Sequence, residues 1–140
     1  MNDYVIDANV LMSILMSGKA AYRPVLSYYR FIVPEFALVE IDKYSQLIAD
    51  KTKMNEAELV QWTHFVFSQI TVLPKYSFDR ECIVKANHLL EKIDLKDVSY
   101  VALAMQLDLV LLTRDEPLIT GLRKQGFRKV MRFEDFFRSI

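Results

Sequence analysis

Glycine, proline, cysteine and histidine are all scarce in this chain, and each shortage closes off a chemistry. Three Gly and four Pro among 140 residues leave little material for long loops or a linker. Gly18, Gly121 and Gly126 are too scattered to form a glycine-rich turn that cradles phosphates, which excludes a P-loop or dinucleotide fingerprint. The single Cys82 has no partner for an internal disulfide, and no secretory signal pattern is present, so the expected setting is the cytoplasm. His64 and His88 fall in separate helical patterns without a ligand-spaced partner, which argues against zinc. No apolar run approaches the roughly 20 residues that cross a bilayer, so no membrane association is expected. Net charge is missing too: 18 Lys and Arg balance 18 Asp and Glu, so any grip on nucleic acid must come from a local basic rim.

What remains is 52% hydrophobic and 26% charged, the balance of a globular protein with a full core. By length, residues 1–140 are expected to form a single domain. A chain of this size buries roughly two-thirds of its unfolded surface and needs no covalent staple. Short apolar runs at Tyr4–Ile6, Phe31–Val33, Thr71–Leu73, Leu109–Thr113 and Arg128–Met131 read as strands. Helical patterns lie between them, over Val10–Met16, Tyr22–Arg30, Glu35–Asp50, Asn55–Gln69, Phe78–Ile93, Val98–Leu107 and Pro117–Gln125, with a last turn around Phe133–Phe137. Strands alternating with helices predict an α/β fold, a parallel sheet covered on both faces.

Against that background four acids stand out. Asp7 ends the run Tyr4-Val5-Ile6, Asp115 follows Leu109–Thr113, and Asp97 opens the apolar helix Val98–Leu107. Glu40 lies on a helical stripe with Phe36, Tyr44 and Leu47, opposite Asp42, Ser45 and Gln46. That stripe ought to pack, and an ionised carboxylate within it is costly without a partner. In open α/β sheets, ligands bind at the carboxyl ends of strands near the switch in strand order. Asp7 and Asp115 both fall just past such ends.

Each acid also has an ordinary explanation. Asp97 and Asp115 are good N-caps for the helices they precede. Asp7 in Asp7-Ala8-Asn9 suits an Asx-turn, and Glu40 could reach water or a basic partner. Only convergence of all four requires more. Two carboxylates about 4 Å apart repel by roughly 4 kcal/mol at an effective dielectric near 20. A converged set therefore calls for a cation or for retained protons. All-oxygen ligands select hard ions, Mg²⁺ or Mn²⁺, whose natural use is phosphodiester hydrolysis.

The segments Val5-Ile6-Asp7-Ala8-Asn9-Val10, Leu38-Val39-Glu40, Asp97-Val98-Ser99-Tyr100-Val101-Ala102-Leu103-Ala104 and Leu112-Thr113-Arg114-Asp115 occur in the order typical of PIN domains. The chain resembles that family from about Tyr4 to Phe137. The resemblance, which extends to VapC-type toxins, implies a three-layer α/β/α fold with a five-stranded parallel sheet. It also implies a Mg²⁺- or Mn²⁺-dependent endoribonuclease that is often a homodimer and, as a toxin, has an antitoxin partner. Carried over residue by residue, Asp7, Glu40, Asp97 and Asp115 resemble the catalytic and metal-binding acids. Asp94, three residues before Asp97, could supply or share the third acid's role. Asn9 and Thr113 resemble the residues that brace the site. Arg114, Lys96, Lys43 and Arg23 are candidates to hold RNA, each with solvated surface charge as the competing reading. Phe36, Trp62, Phe65 and Phe67 could build a dimer or antitoxin groove or pack in the core.

Rival classes fare worse. A haloacid dehalogenase-type hydrolase needs Asp-x-Asp after its first strand, and here the third position is Asn9. A receiver domain needs a phosphoacceptor Asp after its third strand, and Thr71-Val72-Leu73-Pro74 offers none. The remaining alternative is a PIN-like domain that binds RNA or a partner without cutting, against which the intact acid set argues.

Overall fold

A computed structural model describes residues 2–140. Five strands form one sheet: β1 (Asp3–Ile6), β2 (Arg30–Pro34), β3 (Ile70–Leu73), β4 (Leu111–Thr113) and β5 (Val130–Arg132). Their order is β3-β2-β1-β4-β5 and every pair is parallel. The helices are α1 (Ala8–Ser17), α2 (Tyr22–Tyr28), α3 (Phe36–Lys43), α4 (Ser45–Lys51), α5 (Glu56–Gln69), α6 (Arg80–Leu90), α7 (Val98–Leu107), α8 (Glu116–Lys124) and α9 (Phe133–Ser139). The sheet grows in one direction from β1 to β3 and in the other from β4 to β5. Right-handed crossovers running opposite ways leave helices on opposite faces, which makes the three-layer α/β/α arrangement expected from the resemblance. α1 packs against α3, α4 and α5, while α7 packs against α6 and the central strands.

The central strands explain their own position. Val5, Ile6, Phe31, Val33, Leu111 and Leu112 are wholly buried, as a strand covered on both faces demands. Trp62 reaches from α5 to donate its indole N–H to the Ile14 carbonyl at 2.8 Å, joining α5 to α1. Phe136 of α9 lies against Tyr4, Tyr29 and Phe31 and closes that side of the sheet. Gly18 ends α1 in the left-handed region at φ +59, the conformation that favours glycine, and packs closely against the Met54 side chain.

All five expected strands form, each with one or both ends shifted by a residue or two. One expected helix does not form as a unit. The stretch read as a single helix over 35–50 breaks at Tyr44, which adopts φ −106 and ψ 16 between α3 and α4. No Gly or Pro marks the break, so the periodic pattern runs through it unseen. The stripe carrying Glu40 is also less buried than its periodicity predicts. Phe36 is 39% exposed and Leu47 42% exposed, and only Ala37 and Ile48 of these two helices are buried. Among the described residues, no helix is long and apolar enough to cross a membrane.

Candidate metal and nuclease centre

The sheet reverses its order between β1 and β4, and both strands end in an acid at that point. Asp7 follows β1 and Asp115 lies two residues past β4. A cleft of about 530 Å³ opens there, lined by Asp7, Glu40, Asp97 and Asp115 together with Tyr100 and Arg114. Four residues separated by up to 108 positions in sequence thus share one cavity. Asn9 lines it as an exposed side chain. Asp94 does not line it; its carboxylate accepts from the Lys96 backbone at 3.1 Å and pairs with the Lys96 ammonium at 3.5 Å outside.

Three of the acids are held by identifiable bonds. Asp7 caps α1: its Oδ1 accepts from the Val10 N–H at 2.9 Å. Its Oδ2 accepts from the Thr113 hydroxyl at 2.5 Å. The same Thr113 oxygen accepts from the Asp115 N–H at 3.1 Å, so one buried hydroxyl fixes the first acid against the loop that carries the fourth. Asp115 caps α8 through Oδ1, which accepts from the Leu118 N–H at 3.1 Å. Glu40 accepts a very short hydrogen bond from the buried Tyr100 hydroxyl. The capping explanations for Asp7 and Asp115 are therefore correct, and they do not compete with a role in the cleft. Each cap occupies one carboxylate oxygen and aims the group.

Asp97 differs. It makes no capping bond with its side chain, is 7% exposed, and keeps Oδ2 buried with no hydrogen-bond partner. Burial, reinforced by the charges of Asp94, Asp115 and Asp7, pushes its carboxyl up to about 7, with Lys96 pulling the other way. Asp7 is raised as well, first by desolvation and then by Asp115 and Glu40, against the lowering effect of its bonds to Thr113 and Val10. Burial and the neighbouring Glu40 raise the Tyr100 phenol, so it stays protonated as the donor to Glu40.

The donor set fits a hard divalent cation: all-oxygen, with several negative charges and one buried oxygen lacking any partner. It is not a closed cage. Among the described residues, no three His, Cys, Asp or Glu groups stand close enough to grip one ion together. His64 and His88 are exposed on α5 and α6, away from the cleft.

The basic candidates separate in the same way. Arg114 lines the cleft, donating to Ser13 Oγ at 2.5 Å and to Glu134 Oε1 at 3.0 Å. Lys96 lines it as well. Arg23 instead lies over Trp62 and Phe65, and Lys43 over its neighbour Tyr44. Trp62 is core, which removes it from any exposed groove.

Tyr100 and Ser13 are the site residues that sequence reasoning missed. Tyr100 lies three residues after Asp97, one turn further along the same helix, and that spacing could have marked it. Ser13 carries no such signal, because its partner Arg114 is 101 positions away. One stability prediction arises here. Thr113→Val keeps the shape but strips the Asp115 N–H and Asp7 Oδ2 of their shared partner, and is expected to cost about 2 kcal/mol in urea unfolding. An unchanged midpoint would mean that Thr113 does not brace these acids.

Fold and cleft together define a parallel α/β protein with a carboxylate-lined crevice at its switch point. The sequence profile described as "PIN domain" matches residues 5–134. The chain therefore belongs to the PIN domain family, generally nucleases that typically use divalent metals. The crystal structure of PAE2754 from Pyrobaculum aerophilum is similar, with a TM-score of 0.69 over 98% of this chain and 93% of that one, at 18% identity. That likeness is one of fold. No curated protein matches the chain.

Proposed function

We propose that this protein is a Mg²⁺- or Mn²⁺-dependent endoribonuclease, with Asp7, Glu40, Asp97 and Asp115 as its catalytic and metal-binding acids. The observation that carries the reading is the meeting of these four carboxylates in one cleft at the sheet's switch point. A bound divalent ion would supply Lewis acidity toward a phosphate and lower the pKa of water. The chain's own residues do the rest. Asp7, aimed by Val10 and Thr113, is the firmly held acid of the site, and buried Asp97 offers an oxygen still lacking a partner. Glu40 and Asp115 are only partly buried, and each has one carboxylate oxygen held, by Tyr100 and by the Leu118 N–H, which leaves the other for a cation. Arg114 and Lys96 line the same cleft as the acids and can meet phosphates of the bound strand. Asp94 would act on this site through Lys96 rather than as a ligand.

The test is hydrolysis of labelled RNA by purified protein, in Mn²⁺ and in excess EDTA. Equal cleavage in both rules the reading out. Tyr100→Phe is expected to lower the rate about tenfold by releasing Glu40, with circular dichroism unchanged. A full rate would remove Tyr100 from the positioning of Glu40.

The finer reading is a VapC-type toxin: a cytoplasmic single-domain protein, active as a homodimer and held in check by an antitoxin. The order and spacing of the four motifs support it, as do the exposed apolar side chains Leu38, Val39 and Val60 on α3 and α5. A small open reading frame next to this gene whose product blocks RNA cleavage would bear it out. Full activity in the presence of that product would count against it.

A further inference from the structure

The acid cleft shares a wall with a second groove that the nuclease reading leaves unused. Ser13 and Arg114, joined by their 2.5 Å hydrogen bond, line both cavities. Beyond them lies a groove of about 610 Å³ between α1, the start of α2 and α9. This is within the size range of a small-ligand site, roughly 300 to 1,000 Å³. Its charge is opposite to that of its neighbour. Lys19, Arg114 and Arg138 line it against the single carboxylate Glu134. Lys19 is exposed and makes no salt bridge among the described residues, while Arg138 shares Asp135 with Arg132. Half-buried Tyr22 and Phe137, with ring centroids 5.2 Å apart, give the groove an aromatic wall.

A polyanionic strand entering an acidic cleft is repelled by every carboxylate that a cation does not neutralise. Its flanking phosphates need positive partners next to the cut, and unpaired bases bind by stacking on aromatic rings. Both requirements are met together here, across the wall that Ser13 and Arg114 share with the acid cleft. Resting on the ribonuclease reading, we propose that this groove binds the nucleotide adjacent to the cleaved bond in single-stranded RNA. Arg114, oriented by Ser13 and Glu134, holds the phosphate at the shared wall. Lys19 and Arg138 hold the next phosphates, and Tyr22 or Phe137 stacks the base.

The experiment uses the full chain with Asp7→Asn, so that binding is read without cutting. A fluorescent ten-nucleotide single-stranded RNA is titrated by anisotropy at several salt concentrations. Adding Lys19→Gln and Arg138→Gln is expected to weaken binding about tenfold. The salt slope should fall by roughly 1.4, about 0.7 for each phosphate that a side chain no longer neutralises. Unchanged affinity and slope, with an unchanged melting curve, overturn the proposal. If those substitutions impair folding, wild-type protein in EDTA is photo-crosslinked to RNA containing 4-thiouridine. Adducts on the peptides holding Tyr22 or Phe137 support the groove, and adducts confined to other surfaces refute it. Metal-dependent cleavage alongside unchanged binding sinks this subsite alone. Crosslinks at Tyr22 without any cleavage sink the nuclease reading instead.

Discussion

Asp7→Asn is expected to lower metal-dependent RNA cleavage by about a thousandfold while leaving the metal-free protein as stable as wild type, or more so. The two halves of this prediction have separate causes. Asparagine keeps the side-chain oxygen that caps α1 through Val10, and its amide can face Thr113. What it loses is one negative charge, buried to 4% exposure among other acids. Removing that charge relieves repulsion in the apo protein, yet takes the most firmly held anionic ligand from a cation. A loss of about 4 kcal/mol in transition-state stabilisation corresponds to the thousandfold figure. Asp7→Ala also removes the cap and is expected to lower stability by about 1 kcal/mol. Cleavage rates and thermal melts of the two variants separate these effects. A melting temperature for Asp7→Asn well below wild type in EDTA would make Asp7 a structural cap first.

Removing divalent cation is expected to end cleavage and to expose a loss of stability as pH rises toward neutrality. Asp97 holds its proton up to about 7 in the folded protein against an ordinary value of 3.8, chiefly because it is buried and then because Asp94, Asp115 and Asp7 surround it. The folded state therefore binds more protons than the unfolded state between those values, so stability is full below about 3.8 and falls as pH rises to about 7. Asp7 shifts in the same direction and adds to the fall. Each pK unit is worth about 1.36 kcal/mol at most, and water in the open cleft screens part of it, so a loss of about 2 kcal/mol is expected. Mn²⁺ at about a hundred times its Kd adds about 2.7 kcal/mol, which should raise the melting temperature at pH 7.5 by roughly 10 °C. Asp97→Asn should flatten the pH profile in EDTA. Apo protein that grows more stable from pH 5 to 7.5, with no response to Mn²⁺, would contradict this electrostatic picture.

The two halves of the molecule differ in how plainly the sequence states them. The sheet is legible because Val5-Ile6, Phe31–Val33 and Leu111-Leu112 are short apolar runs that only a doubly covered strand can use. The addresses of Asp7 and Asp115 follow, because Asp7 comes directly after such a run and Asp115 within three residues of one. Glu40 stands out in the sequence for a partly mistaken reason. Its neighbours Phe36 and Leu47 look like a core stripe, but both are well exposed, and Glu40, Tyr44 and Leu47 line the open cleft. Periodicity registers which residues share a side of a helix and says nothing of whether that side meets core or cavity. Thr113 is legible only through family likeness, since its bond to Asp7 spans 106 positions. The Tyr100–Glu40 and Arg114–Ser13 bonds span 60 and 101 positions, and no local pattern encodes such long-range pairs.

The central claim is that these acids jointly hold a hard divalent ion. Anomalous scattering from a crystal soaked in Mn²⁺ tests it most directly. The predicted result is a peak in the cleft within coordination distance, about 2.0 to 2.3 Å, of oxygens from Asp7 and Asp97, with Glu40 and Asp115 turned toward it. Strong peaks elsewhere on the protein, with none among these four carboxylates, would contradict it.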